Sequence, residues 1–292
     1  MTLQSEMDPA EIDVAPSDSV IGAEIRGVDL SHPIGDAVFA RIHDAFLAHS
    51  VIYLRGQQLS PENLIDFSSR FGTLDIHHLV EHTLPGHPEV RVLSNVKKDG
   101  KPFGVAKSGR HWHSDLSYKE APASATVLYG VETPPAGADT LFADMYAAYA
   151  ALPDPLRRQI AGRRAMHDRN FRYSQMYPDR PPLSPEQLAA VPPTPHPAVR
   201  THPETGRPSL FLARDVVSGL EGMDDEAARR LVAAIEEFAT EARFVYAHKW
   251  QQGDVVIWDN RCTLHRATPF PDTERRVMYR TQIKGDRPVF RA

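Results

Sequence analysis

Apolar and polar positions along this chain follow two different rhythms. In "DAVFARIHDAFLAH" (36–49) apolar residues recur every three or four positions, which predicts an amphipathic helix. On either side, "VIGAEIRGVDL" (20–30) and "SVIYLRGQ" (50–57) are short β-branched runs bounded by Gly and polar residues, the pattern of strands. "EVRVLSNVKKDGKPFGV" (89–105) reads as a hairpin with Asp99-Gly100 in its turn. "FADMYAAYAAL" predicts a short helix that Pro153 stops, and "PDPLRRQIAG" a second piece. The helical period is clearest in "DDEAARRLVAAIEEFAT" (224–240). Asp224 stands at its cap, acids fill its first turn, and Ala227, Leu231, Ile235 and Phe238 form one stripe.

The last quarter returns to strands in "RFVYAHKW", "GDVVIWDN" and "RRVMYRTQIKG". Strands at both ends with helices between them predict an α+β protein with a mainly β core, a mostly antiparallel sheet sandwich. Tyr177–Pro197 holds so many prolines that only a short helical turn is expected in it. Such an excursion over the surface serves either as a cover for a site or as plain wrapping. With no repeat and no linker, residues 18–292 are expected to form one domain behind a tail of residues 1–17.

Composition narrows the chemistry. No apolar run approaches the ~18 residues of a membrane span, and the acidic first residues lack the basic and apolar regions of a signal peptide. A cytoplasmic protein with no membrane partner is expected. A net charge of −5 argues against nucleic acid as a partner. Cys262 is the only cysteine, which excludes internal disulfides and Cys-based zinc sites. Any bound metal must be held by nitrogen and oxygen.

Such donors crowd into "RHWHSDLSY" (110–118). His111, His113 and Asp115 occupy alternate positions, which in an extended chain share a face. Two histidines and one carboxylate on one face of a metal leave the opposite face open, the arrangement of non-haem Fe(II) oxygenases. Of the other histidines, His265 stands out because it follows the strand ending Trp258-Asp259-Asn260, in a polar turn from which a ligand can point inward. In "ERRVMYRTQIKG", strand alternation places Arg276, Met278, Arg280 and Gln282 on one face. Two arginines there either capture carboxylates bidentately or pair with Asp and Glu across the sheet.

Taken together, "IGAEIRGVDL", "HWHSDLSY", "GADTLFADMYAAYAAL", "RTHPETGR", "WDNRCTLHRA" and "RRVMYRTQIKGDRPVF" resemble, in order, the TauD/TfdA family of Fe(II)/2-oxoglutarate-dependent dioxygenases. The likeness runs from about Ser19 to the C-terminus. It implies a double-stranded β-helix, the cupin-like jelly roll, with flanking helices. It makes His113, Asp115 and His265 the iron ligands and leaves His111 outside the metal. It implies that Arg276, with Thr140 as helper, binds the distal carboxylate of 2-oxoglutarate, and that His77 and Arg280 contact the substrate. The expected reaction uses O2 to hydroxylate a small anionic substrate, a sulfonate, an aryloxyalkanoate or another carboxylate, as 2-oxoglutarate becomes succinate and CO2. The resemblance associates halogenation with a missing carboxylate, so Asp115 argues against that chemistry. It also implies a homo-oligomer, a dimer or tetramer.

Two other readings are weighed. A zinc-dependent hydrolase of the metallo-β-lactamase type would need H-x-H-x-D-H, and Leu116 stands where its last histidine belongs. A non-catalytic jelly-roll binding module has no need to keep three ligands and Arg276.

Overall fold

The computed structural model describes residues 12–76, 82–178 and 180–291. The chain enters through β1 (Asp13–Pro16) and β2 (Ala23–Arg26), then passes through α1 (Asp36–His49), β3 (Val51–Leu54) and α2 (Pro61–Ser69). Next come β4 (Thr83–Leu84), β5 (His87–Ser94) and the hairpin β6 (Lys97–Lys98) and β7 (Lys101–Pro102). The long β8 (Ala123–Glu132) and β9 (Thr140–Asp144) precede α3 (Met145–Ala151) and α4 (Asp154–Ile160). A peripheral layer follows: β10 (Arg164–His167), α5 (Tyr173–Met176), α6 (Pro185–Ala189), β11 (Thr194–Pro197), β12 (Val199–Thr201), β13 (Pro208–Leu210) and β14 (Val217–Leu220). The chain closes with α7 (Asp225–Ala239), β15 (Val245–His248), β16 (Val255–Asp259), β17 (Thr263–Ala267) and β18 (Val277–Lys284).

Local chemistry sets these boundaries. Ser60 and Asn63 make a reciprocal capping box at the start of α2, with Pro61 in the first turn where its missing N–H is no loss. Asp224 caps α7 by accepting from the Glu226 and Ala227 amides. Asp144 does the same for α3, so the expected helix "FADMYAAYAAL" begins only at Met145 and its first residues belong to β9. The Asp99-Gly100 turn is as expected, both residues taking positive φ between β6 and β7. One correction concerns the N-terminus. The expected tail to residue 17 is ordered from Asp13 to Pro16, where β1 pairs with β2.

Eight strands form the large sheet in the order β1-β2-β3-β16-β8-β18-β5-β4, antiparallel except for β2 beside β3. A small sheet, β15-β9-β17, faces it. Leu128, Val256, Trp258 and Met278 from the first meet Phe142 and Tyr246 from the second, with Trp250 just beyond β15, in one apolar cluster, which makes the pair a double-stranded β-helix. The outer face of the large sheet is covered by Val38, Ile42 and Phe46 of α1 and Leu64 and Phe67 of α2. A third cluster joins α3 and α7 to β14 through Met145, Ala148, Leu231, Ile235 and Val217. The proline-rich excursion carries the short α6 and ends in β11, a strand that its prolines had hidden. Among the described residues no helix is long and apolar enough to cross a membrane.

Candidate active site

His265 lies in the middle of β17, not in the polar turn that the sequence pointed to. Its backbone is paired on one side with Phe142 of β9 and on the other with His113, through His113 N to His265 O at 3.1 Å and His265 N to His113 O at 2.9 Å. The two imidazoles therefore stand together, with ring centroids 4.2 Å apart. After His113 the chain does not stay extended. It turns through Leu116, whose φ is +56°, and Asp115 swings to the large sheet, where Thr126 of β8 donates to its Oδ2 at 2.7 Å. The histidines thus belong to the small-sheet side and the carboxylate to the large-sheet side.

The three donors form a set that an ion could share. His113 Nε2 is 3.8 Å from Asp115 Oδ1 and His265 Nε2 is 3.8 Å from Asp115 Oδ2. Those separations are too long for hydrogen bonds but within the span of two ~2.1 Å bonds to one metal. His113 Nδ1 lies 2.7 Å from the His111 carbonyl, to which it can only donate, so its Nε2 presents a lone pair to the cluster. Burial, then the neighbouring His113 ring, pushes His265 down to about 3, keeping it a neutral ligand. Burial opposes ionisation of Asp115, yet Arg280, the two histidines and the Thr126 hydroxyl hold its carboxyl below the usual range.

Asn260, at the end of β16, braces this arrangement. Its Oδ1 accepts from the Asp115 amide at 3.1 Å and from Trp258 Nε1 at 3.0 Å, and its Nδ2 donates to Thr126 Oγ1 at 2.9 Å. Its carbonyl accepts from Ser114 Oγ at 2.8 Å. Thr126 did not stand out in the sequence, and Asn260 did so only as part of the polar turn before His265. The available signal was a hydroxyl among the small and apolar residues of β8 and an amide in the polar turn that follows β16.

Arg280 on β18 and Arg276 just before it behave differently from each other. Arg280 points inward, 3.5 Å from Asp115 Oδ1 and 3.1 Å from Gln282 Oε1. Arg276 precedes the strand, its amide held by Asn95 Oδ1 at 2.9 Å and its guanidinium 6.0 Å from the Phe270 ring centroid. Among the described residues it has no carboxylate partner and its Nε has no acceptor; burial lowers it to about 10. Cross-strand pairing with acids therefore does not account for Arg276. It shares a recess with Ala267, and Ala267 pairs with Thr140 in the small sheet. Trp250 Nε1 donates to Thr140 Oγ1 at 3.0 Å, which leaves the Thr140 hydroxyl hydrogen free for an acceptor.

His77, expected to contact substrate, lies outside the described residues. His111 is not part of the cluster; its Nδ1 lies 3.0 Å from Asp215 Oδ2, beside the cavity. A cavity of about 600 Å³ opens over His113 and Asp115, and Trp112, Leu116, Tyr118 and Tyr173 give it apolar walls. Lys97, Lys98 and Lys101 of the basic hairpin are exposed and do not line it.

The family model for "Taurine catabolism dioxygenase TauD, TfdA family" matches residues 13–282. An (S)-phenoxypropionate/alpha-ketoglutarate-dioxygenase of Delftia acidovorans is 34% identical over 294 residues, covering 94% of this chain and 95% of the relative. An alpha-ketoglutarate-dependent sulfate ester dioxygenase of Pseudomonas putida is 34% identical over 285 residues, covering 96% and 91%. The crystal structure of a taurine dioxygenase from Burkholderia xenovorans superposes with a TM-score of 0.80 at 33% identity, covering 96% of this chain and 91% of that one. With ligand trio, facing sheets and free arginine already in place, these matches have one meaning: the chain belongs to the TauD/TfdA family and is a dioxygenase dependent on 2-oxoglutarate (alpha-ketoglutarate).

Proposed function

We propose that His113, Asp115 and His265 hold iron(II), that Arg276 and Thr140 hold 2-oxoglutarate, and that the cavity above them takes a small organic anion. The observation that carries this reading is the pairing of a two-nitrogen, one-carboxylate cluster with an arginine that has no carboxylate of its own among the described residues. The donor set suits a cation that accepts imidazole and carboxylate and leaves three positions for other ligands. When bound, the iron and 2-oxoglutarate would couple reduction of O2 and loss of CO2, with succinate as co-product, to hydroxylation of the substrate.

The protein contributes orientation and charge. Arg276 offers a two-pronged donor that fixes one end of the dicarboxylate, with the Thr140 hydroxyl beside it. His113 is locked in one tautomer by the His111 carbonyl, and Asp115 is kept ionised and oriented by Thr126 and Asn260. Arg280 presents a positive charge on the cavity wall next to the metal cluster, where a substrate anion can be anchored. The relatives that act on phenoxypropionate and sulfate esters support a substrate of this anionic kind.

The test is anaerobic. Iron(II) and 2-oxoglutarate are added to metal-free protein, and the visible region is searched for the weak charge-transfer band of a chelated 2-oxo acid. A band is expected, and Arg276→Ala should raise the 2-oxoglutarate concentration needed for it on the order of 100-fold, as for a lost charge-assisted pair. Absence of the band together with tight zinc binding would return the hydrolase reading.

A further inference from the structure

The large-sheet wall of the cavity carries one cation more than this chemistry uses. Arg91 of β5 stands opposite Arg280 of β18 in the antiparallel register, so their side chains leave the same face with Cβ atoms about 4.5–5.5 Å apart. Both line the cavity over Asp115. Like charges placed directly opposite one another destabilise a sheet, and something must offset them. Among the described residues Arg91 has no carboxylate partner, and its Nε has no acceptor. Burial, then the charge of Arg280, lowers it to about 10. Among the described residues the one carboxylate paired with Arg280 is Asp115, and that carboxylate is committed to the metal in the proposed function.

Nothing else on the described walls supplies negative charge. Asp115 is the one acid among the lining residues. Further out, Arg169 and Arg180 lie over the rings of Tyr118 and Tyr177, at 5.6 Å and 4.0 Å, in place of ion pairs. Uncompensated guanidinium groups in a partly dry cavity are costly unless a ligand brings the counter-charge.

We propose that Arg91 and Arg280 form a two-arginine clamp for a dianionic tetrahedral head group, that of a phosphonate or a phosphate monoester, and that Arg91 sets this preference. The proposal rests on the cavity being the substrate site of the proposed function. A planar monoanionic carboxylate is satisfied by one guanidinium fork and leaves the second cation without a partner. A tetrahedral dianion offers three oxygens and two charges to two forks. The apolar walls at Trp112, Leu116 and Tyr173 would hold the organic body.

A matched pair of ligands tests it: phenoxymethylphosphonate and phenoxyacetate share a body and differ in the head group, and the phosphonate is largely dianionic at about pH 8. Each is titrated calorimetrically, without oxygen, into protein loaded with Mn(II) and 2-oxoglutarate. The phosphonate should bind at least about tenfold tighter, Arg91→Gln should bring the ratio close to one, and Arg91→Lys should keep part of it. Equal or weaker phosphonate binding, a ratio that survives in Arg91→Gln, or binding of neither ligand would overturn the clamp. If the protein fails to take up 2-oxoglutarate in the loading titration, the proposed function falls, and the same ratio measured on metal-free protein still decides the clamp.

Discussion

Asn260 shows how few atoms separate a ligand trio from three ordinary polar residues. It ties Asp115 to Trp258, Thr126 and Ser114, and none of these contacts reaches solvent. Asn260→Ala leaves the Trp258 N–H and the Asp115 amide without acceptors in a buried setting. We expect a stability loss of about 2–3 kcal/mol by urea denaturation. Metal affinity should fall about 10- to 100-fold in a competition titration, because the carboxylate loses its orientation. His113 and Asp115 were legible in the sequence because their spacing is itself a signal, and Arg276 because it stands in a recognisable motif. Asn260, Thr126 and Arg91 were not, since the partners that give each its role come from distant parts of the chain. Arg91 had the best available signal, alternating with Val90 and Val92 so that it must share a face with Leu93.

At the scale of elements, α1 and α7 were legible because each buries one stripe and exposes the rest, which writes a period into the sequence. β8 is buried on both faces over most of its length and has no such rhythm, although it is the strand that holds Thr126. β17 is short and half of it is polar, so its histidine looked like a turn residue. The pairing of β10 with β11 has an energetic consequence of its own. It sets His167 edge-on to His196, centroids 5.2 Å apart, in a three-ring cluster where Phe211 stacks on His167 at 4.6 Å, and among the described residues neither His167 ring nitrogen has a hydrogen-bond partner. Burial, then the neighbouring His196, pushes His167 down to about 3. The unfolded chain therefore binds a proton that the folded one refuses, and stability rises with pH across that interval. The contribution is complete above the unfolded value near 6.5 and is lost as the pH falls from there towards about 3. Denaturant midpoints measured from pH 7 to pH 4 should show this slope, at most about 1.4 kcal/mol per pH unit from this ring. In His167→Phe the slope should be shallower.

For the whole molecule, an ion bound as proposed would tie the two sheets together, gripping His265 and His113 on one side and Asp115 on the other. Linkage makes that tie measurable. At a free metal concentration of 100 times Kd the folded state gains about 2.7 kcal/mol, a rise in Tm of about 5 °C for a chain of this size. A chelator should abolish the rise, and Asp115→Ala should show none.

The backbone bridge between His113 and His265 has one more implication, for the order in which the chain acquires its structure. Ser114 and Asn260, which flank the ligands, are 146 positions apart in sequence. Contacts that distant close late, after local helices and hairpins have formed. The donor trio is therefore expected to come together only once β17 has paired with the segment that carries His113, and competence to take up metal to arrive with that pairing. Metal capture during refolding would consequently act as a clock for the last step of assembly, running behind the appearance of helical signal instead of alongside it.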